Sequence, residues 1–141
     1  MFPRNPDQSV YRILDANLDR AAEGLRVVMD IVRFALDDPQ GSETFRSLRH
    51  RLISLVKDIP RLDHLRLENR DSAADTGQHL GSGTAGRDLP EIFSANLHRS
   101  QEAVRSLEEF IRGLSPTAAD GYSQIRYELY TLEKEYHPRV T

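Results

Sequence analysis

Asn17, Arg20, Glu23 and Arg26 stand three residues apart, and the same four types return at the same spacing as Asn96, Arg99, Glu102 and Arg105. Guanidinium forks bind carboxylate and phosphate bidentately, and a carboxylate between two forks holds them in register. The set reads as a surface for an anionic guest. The stretches that carry it, residues 13–36 and 92–115, align without a gap; eight of the 24 positions are identical, and five of those eight are polar, Arg33/Arg112 completing the set. A helix kept only for its core would match at its apolar positions, yet here those drift (Leu25/Val104, Val28/Leu107, Ile31/Phe110) while the polar spacing holds. The alternative is a solvated ladder in which Arg20–Glu23 and Glu23–Arg26 pair at i,i+3, worth roughly a few tenths of a kcal/mol each. Asn17 counts against it. Its angular position is that of Val28 and Ala35, inside an apolar stripe, and a buried carboxamide without partners costs about 1–3 kcal/mol.

Other residues bear on the same chemistry. FRSLRHRLISL at 45–55 is echoed by YSQIRYELYTL at 122–132, which sets Arg49 opposite Arg126. Arg70-Asp71-Ser72-Ala73-Ala74-Asp75-Thr76-Gly77 places two carboxylates four apart beside a guanidinium and a glycine. Such a pair suits Mg²⁺ held through oxygen and water, or the positioning of an attacking oxygen; a polar surface turn is the other reading. Gly81-Ser82-Gly83-Thr84-Ala85-Gly86 matches a GxGxxG string, but no strand precedes it and no βαβ unit is available, so it reads as a flexible linker. Glu23-x-x-Arg26 and Glu102-x-x-Arg105 stand where di-iron bundles carry Glu-x-x-His, and a guanidinium does not ligate metal. The five histidines show no metal-ligand spacing.

Helical periodicity supplies the elements that must position these groups. Leu14, Leu18, Ala21, Leu25, Val28 and Val32 predict a helix from about Ser9 to Leu36, stopped at Asp37-Asp38-Pro39. A second is predicted from about Glu43 to Asp58, with a further turn or two at 61–68. Asp88-Leu89-Pro90-Glu91 reads as a capping box opening a helix to about Leu114, and a last helix is predicted from about Ala118 to Tyr136, ending before Pro138. The expected architecture is all-α: four main helices as two repeated αα-hairpins with pseudo-two-fold symmetry, halves at about 9–68 and 88–137, and a long loop at 69–88, forming one domain over 1–141. A connection that long is functional or disordered.

Composition narrows the classes. Net charge is −3, against a general nucleic-acid binder. No apolar run approaches a membrane span and the N-terminus, MFPRNPDQS, reads as a short disordered lead, not a signal peptide. Cysteine is absent, which removes thiolate chemistry and permits a cytoplasmic location. Lys57 and Lys134 are the only lysines among 19 basic residues, so any anion clamp must be built of arginine.

YRILDANLDRAAEGLRV, FRSLRH, RDSAADTG, ANLHRSQEAVRSLEEF and IRYELYTLE, in that order, resemble the monofunctional hydroxymethylpyrimidine-phosphate kinases of thiamine biosynthesis. The same domain occurs as an N-terminal extension of some thiamine-phosphate synthases. The resemblance runs from Tyr11 to Glu133 and departs around 79–86 and at Ser72; the length matches a free-standing form. It implies an all-helical enzyme that uses ATP and Mg²⁺ to convert the pyrimidine phosphate to its diphosphate. Within that implication, physical inference assigns Arg26 and Arg105, with Asp71 and Asp75, to catalysis, the two aspartates carrying Mg²⁺. Arg20, Arg49, Arg70, Arg99 and Arg126 join the anion clamp, Glu23 and Glu102 hold it, and Asn17 and Asn96 meet the aminopyrimidine edge. The loop at 70–88 closes over the nucleotide. A non-catalytic adaptor or dimerisation module attached to thiamine-phosphate synthase is the competing class. Expected partners are the pyrimidine phosphate and ATP, with a synthase or a second copy as protein partner and neither nucleic acid nor membrane.

Overall fold

The computed structural model describes residues 1–78 and 85–141. It is all-helical, with α1 at Pro6–Phe34, α2 at Pro39–Ser54, α3 at Leu62–Glu68, α4 at Leu89–Ile111 and α5 at Pro116–Val140. Among the described residues there is no strand, and no helix is long and apolar enough to cross a membrane.

The four long helices begin alike. Asn5, Asp38, Asp88 and Ser115 each accept a hydrogen bond from a first-turn N–H, and each helix has proline at its first or second position. That proline loses no bond, since the first N–H groups of a helix have no partner inside it. These caps set the starts earlier than periodicity suggests. The first helix begins at Pro6, so only residues 1–5 form a lead, and the second begins at Pro39 because Asp38 is its cap as well as the terminator of the first. The last helix runs through Pro138 to Val140. Proline there removes one bond in a frayed final turn, where it does not break the element.

α1 packs most extensively against α4, then against α2; α5 packs against α4 and more lightly on α2, and α3 lies on α1. The bundle thus closes in the order α1, α2, α5, α4. Its core takes Leu14, Leu25 and Val32 from α1, Phe45 and Leu52 from α2, Leu97 and Leu107 from α4, and Tyr122 and Leu129 from α5, all fully buried. Each such side chain contributes roughly 1.5–3 kcal/mol on leaving water. The Tyr122 hydroxyl donates to the Leu52 carbonyl at 2.9 Å, tying α5 to α2.

The α1–α4 crossing is set by Gly24. A Cβ there would stand 2.3 Å from Ser100 Oγ and 2.7 Å from the Asn96 carbonyl oxygen, while Ser100 Oγ donates to the Ala21 carbonyl at 2.9 Å. Alanine at 24 gains about 1 kcal/mol of helix propensity and loses about 1–3 kcal/mol to overpacking. The backbone carbonyl cannot rotate away, so overpacking wins. Gly24→Ala is expected to lower Tm; an unchanged or raised Tm in thermal unfolding contradicts this crossing.

A second tie closes the far end. Asp38 Oδ1 accepts from Gly41 N at 2.9 Å, and its Oδ2 accepts from the Tyr136 hydroxyl at 2.6 Å and from Arg139 at 2.9 Å. The Gly41 amide, then Tyr136, then Arg139 outweigh desolvation and hold the Asp38 carboxyl down at about 2, against an ordinary 3.8. Burial, then the hydrogen bond to Asp38 and its charge, pushes the Tyr136 phenol up to about 12 from an ordinary 10.0. A depressed carboxyl stabilises fully above its unfolded value and loses that contribution as pH falls through the folded one. The phenol, raised in the fold, contributes fully below 10.0 and loses its share as pH climbs toward 12. The expected result is a Tm that falls between pH 4 and 2 more steeply in the native protein than in Asp38→Asn. Parallel slopes in the two proteins overturn this assignment.

Candidate functional site

The first half of α1 turns one face, with Ser9, Arg12, Ile13, Ala16, Asn17 and Arg20, into a cleft of about 710 Å³. Phe2, Pro3 and Arg4 line it as well, beside the segment from Arg70 to Thr76, where Arg4 reaches Asp71 at 3.5 Å. The N-terminal residues are therefore part of a wall. The 70–76 segment reaches α1 because Arg61, in the left-handed region at φ 62°, turns the chain into α3, which lies back along α1.

Asp15 anchors that return. Its side chain is 7% exposed and accepts from Arg70 Nε at 2.6 Å, Arg70 Nη2 at 2.7 Å and Arg66 Nη1 at 2.8 Å. Arg66 also holds Asp63 at 2.9 Å, and Arg70 reaches Asp19 at 3.1 Å. Burial pushes Asp15 up, but hydrogen bonds from Arg70 and Arg66 outweigh it and hold the carboxyl below its ordinary range. Asp19 moves the other way: burial first, then the charge of Asp15, raise it despite the two arginines. One carboxylate is thus committed to structure, and a second, poised higher, sits at the cleft wall.

Asp71 and Asp75 each give one oxygen to the turn. Asp71 Oδ1 accepts from Ala74 N at 3.1 Å and Asp75 Oδ1 from Gly77 N at 2.8 Å; Asp71 Oδ2 lies 3.5 Å from Arg4. Among the described residues no group of three or more His, Cys, Asp or Glu side chains is arranged to hold a metal ion. Asp75 Oδ2 has no partner among the described residues, while Asp71 Oδ2 shares the Arg4 guanidinium. The donor set nonetheless suits Mg²⁺, which uses one or two protein carboxylates and completes its shell with water and substrate phosphate.

Asn17, Arg20, Arg70, Asp71 and Asp75 thus share this cleft. The remaining candidates lie elsewhere. Arg26 and Arg49 line a separate groove of about 860 Å³ between α1 and α2. Arg126 Nε donates to Glu108 at 2.8 Å, with Arg105 3.9 Å from the same carboxylate and 3.2 Å from Glu109. Arg99, Glu102 and Glu23 are exposed, and neither glutamate forms an ion pair among the described residues. The i,i+3 ladder is replaced by i,i+4 pairs, Arg26–Asp30 at 3.5 Å and Arg105–Glu109, since i+4 neighbours lie more nearly above one another on a helix. Asn17 and Asn96 solve their burial alike, donating Nδ2 to the carbonyls of Ile13 and Ile92 at 2.9 and 2.8 Å. Asn17 alone of the two lines the cleft. Of the glycine string, residues 81–84 lie outside the described residues, as does that part of the expected lid.

Asp15, Asp19, Arg66, Arg4 and Arg12 escape a search by repetition. Asp15 and Asp19 are replaced by Ser94 and His98 in the second stretch, so identity between halves passes over them. Asp15 stands about 100° round the helix from Leu14, outside the Leu14–Leu18–Ala21–Leu25 stripe, so apolar spacing does not mark it either.

A family model described as the ThiD2 family matches residues 12–135. Among curated proteins, a thiamine-phosphate synthase of Prochlorococcus marinus is 41% identical over 131 residues, 92% of this chain and 36% of the relative. Those of a Synechococcus species and of Nostoc punctiforme are 43% and 38% identical, over 88% and 89% of this chain and 34% and 35% of their own lengths. The chain spans about a third of the length of these relatives. No solved structure is a significant match.

Proposed function

The chain belongs to the ThiD2 family, and from that premise we propose that it phosphorylates 4-amino-5-hydroxymethyl-2-methylpyrimidine phosphate in thiamine biosynthesis, with ATP as donor. The observation that carries the reading is the meeting of Asn17, Arg20, Arg70, Asp71 and Asp75 in one cleft. A phosphate oxygen of the acceptor forms a bond to the γ-phosphorus as the bond to the β–γ bridging oxygen breaks, and ADP leaves. The acceptor is already an anion, so the site needs positioning and charge neutralisation more than a strong base. Arg20 and the outer face of Arg70 neutralise phosphate, and Asn17 meets the polar edge of the pyrimidine. Asp71 and Asp75 would hold Mg²⁺, which when bound neutralises charge on the donor phosphates. Asp15 is a positioning residue, since it acts through Arg70. On this reading the chemistry lies on α1 and the segment after α3, Arg105 and Arg126 bind Glu108, Asn96 bonds its own helix, and Arg99 and Glu102 have no part in the site.

The competing reading is a non-catalytic module that docks on thiamine-phosphate synthase, favoured by relatives about three times as long. Incubation with ATP, Mg²⁺ and the pyrimidine monophosphate separates the two. The kinase reading expects ADP release that depends on the pyrimidine. Ligand-dependent thermal stabilisation without ADP leaves a binding module, and neither signal leaves the docking module.

A further inference from the structure

The two halves differ at the one place where their arginines need a counter-charge. In the second half Glu108 fills it: a carboxylate 9% exposed, receiving Arg126 Nε at 2.8 Å and Nη2 at 3.4 Å, with Arg105 at 3.9 Å. The gap-free alignment pairs Arg105 with Arg26 and Glu108 with Met29, and the echo of α2 in α5 pairs Arg126 with Arg49. All three first-half counterparts, Arg26, Met29 and Arg49, line the α1–α2 groove. Methionine brings no charge there.

Arg49 has accordingly turned to the backbone. Its Nε donates to the Ala22 carbonyl at 3.1 Å, and among the described residues no carboxylate reaches it. Arg26 has only Asp30, at 3.5 Å across two largely exposed side chains. Arg33 and Arg46 line the same groove, and the acids lining it are Asp30 and Glu43. Arg51 lines it too, but is held by Glu128 at 2.7 Å, and Arg46 by Glu43 at 3.4 Å. Five guanidiniums against two lining carboxylates leave a positive concavity built to the pattern of an arginine pair that, in the other half, holds an anion.

We infer that the α1–α2 groove is an anion site, separate from the cleft, in which a ligand phosphate takes the position that Glu108 occupies in the second half. The class is a diphosphate or longer phosphate chain. Arg26 and Arg33 are seven residues apart, about 10 Å along the helix, which is more than a single phosphate spans. Met29 lies twelve residues from Asn17, about 18 Å along α1, so the groove and the cleft take separate ligands. Arginine forks provide bidentate contact to each phosphate group.

The test is calorimetric titration of the folded full chain with inorganic pyrophosphate at low salt. Met29→Glu supplies the missing carboxylate from within and is expected to weaken binding at least tenfold. Met29→Gln has the same length without the charge and is expected to bind within about threefold of the native protein. Arg33→Ala, at an exposed position, should weaken binding without affecting folding, and Arg70→Ala in the cleft should leave the groove's binding in place. Equal binding by Met29→Glu and the native protein overturns the site, as does an equal loss in Met29→Gln. Because the readout is binding without ATP, the site stands or falls independently of the phosphotransferase reading.

Discussion

Asp75→Asn is expected to lower phosphoryl-transfer turnover on the order of a hundredfold, with Tm unchanged. The substitution separates the turn-forming role of this side chain from the charge that the proposed reaction asks of it. As a turn former, Asp75 accepts from Gly77 N at 2.8 Å, and an asparagine carbonyl oxygen accepts that bond equally well. In the proposed reaction its charge has no substitute, because an amide cannot neutralise a divalent cation or compete for its shell. A residue present only for its turn would tolerate asparagine with full turnover. The measurement is steady-state kinetics at saturating Mg²⁺ beside a thermal melt; an unchanged rate removes Asp75 from the chemistry.

The second large effect is at Asp15, where alanine is expected to reduce both stability and turnover. Removing the carboxylate leaves Arg66 and Arg70 facing each other with no shared counter-ion. Breaking a fully buried pair costs about 3–5 kcal/mol. Arg70 is 40% exposed and regains water, so the expected cost is nearer 2–3 kcal/mol, a fall in Tm of roughly 10 °C. Turnover should fall further than the folded fraction does, since Arg70 positions the segment that carries Asp71 and Asp75. Limited proteolysis reads this directly, with new cleavage between residues 69 and 78 in Asp15→Ala. Asp15→Asn, which keeps the shape and one acceptor, should lie between alanine and the native protein. If Asp15→Ala melts and cleaves like the native protein, the α3 return is held by something other than this carboxylate.

The all-α class and five helical segments were legible because apolar spacing and N-caps are local signals. The helices start three or four residues before the apolar pattern does, because Pro6, in the apparent lead, and Pro39, in the stop signal, are first-turn residues. The site was legible only in part, for a physical reason. Repetition in the sequence marks what both halves need, such as the Asn17/Asn96 bonds to their own helix. What is particular to one half does not repeat. Asp15 faces Ser94 in the alignment, Asp19 faces His98 and Met29 faces Glu108, and at each of these positions the two halves do different work. Convergence of Arg20 with Arg26, Arg49, Arg105 and Arg126 was expected from shared spacing. Spacing fixes a face of a helix, but the packing order α1, α2, α5, α4 decides which faces meet.

Phosphorus NMR of the complete reaction is the most direct test of the account. With ATP, Mg²⁺ and the pyrimidine monophosphate, the kinase reading predicts that the monophosphate resonance is replaced by the coupled pair of a diphosphate ester, in step with ADP and absent in Asp75→Asn. An unaltered monophosphate signal after prolonged incubation, or free phosphate appearing in place of the diphosphate, contradicts it.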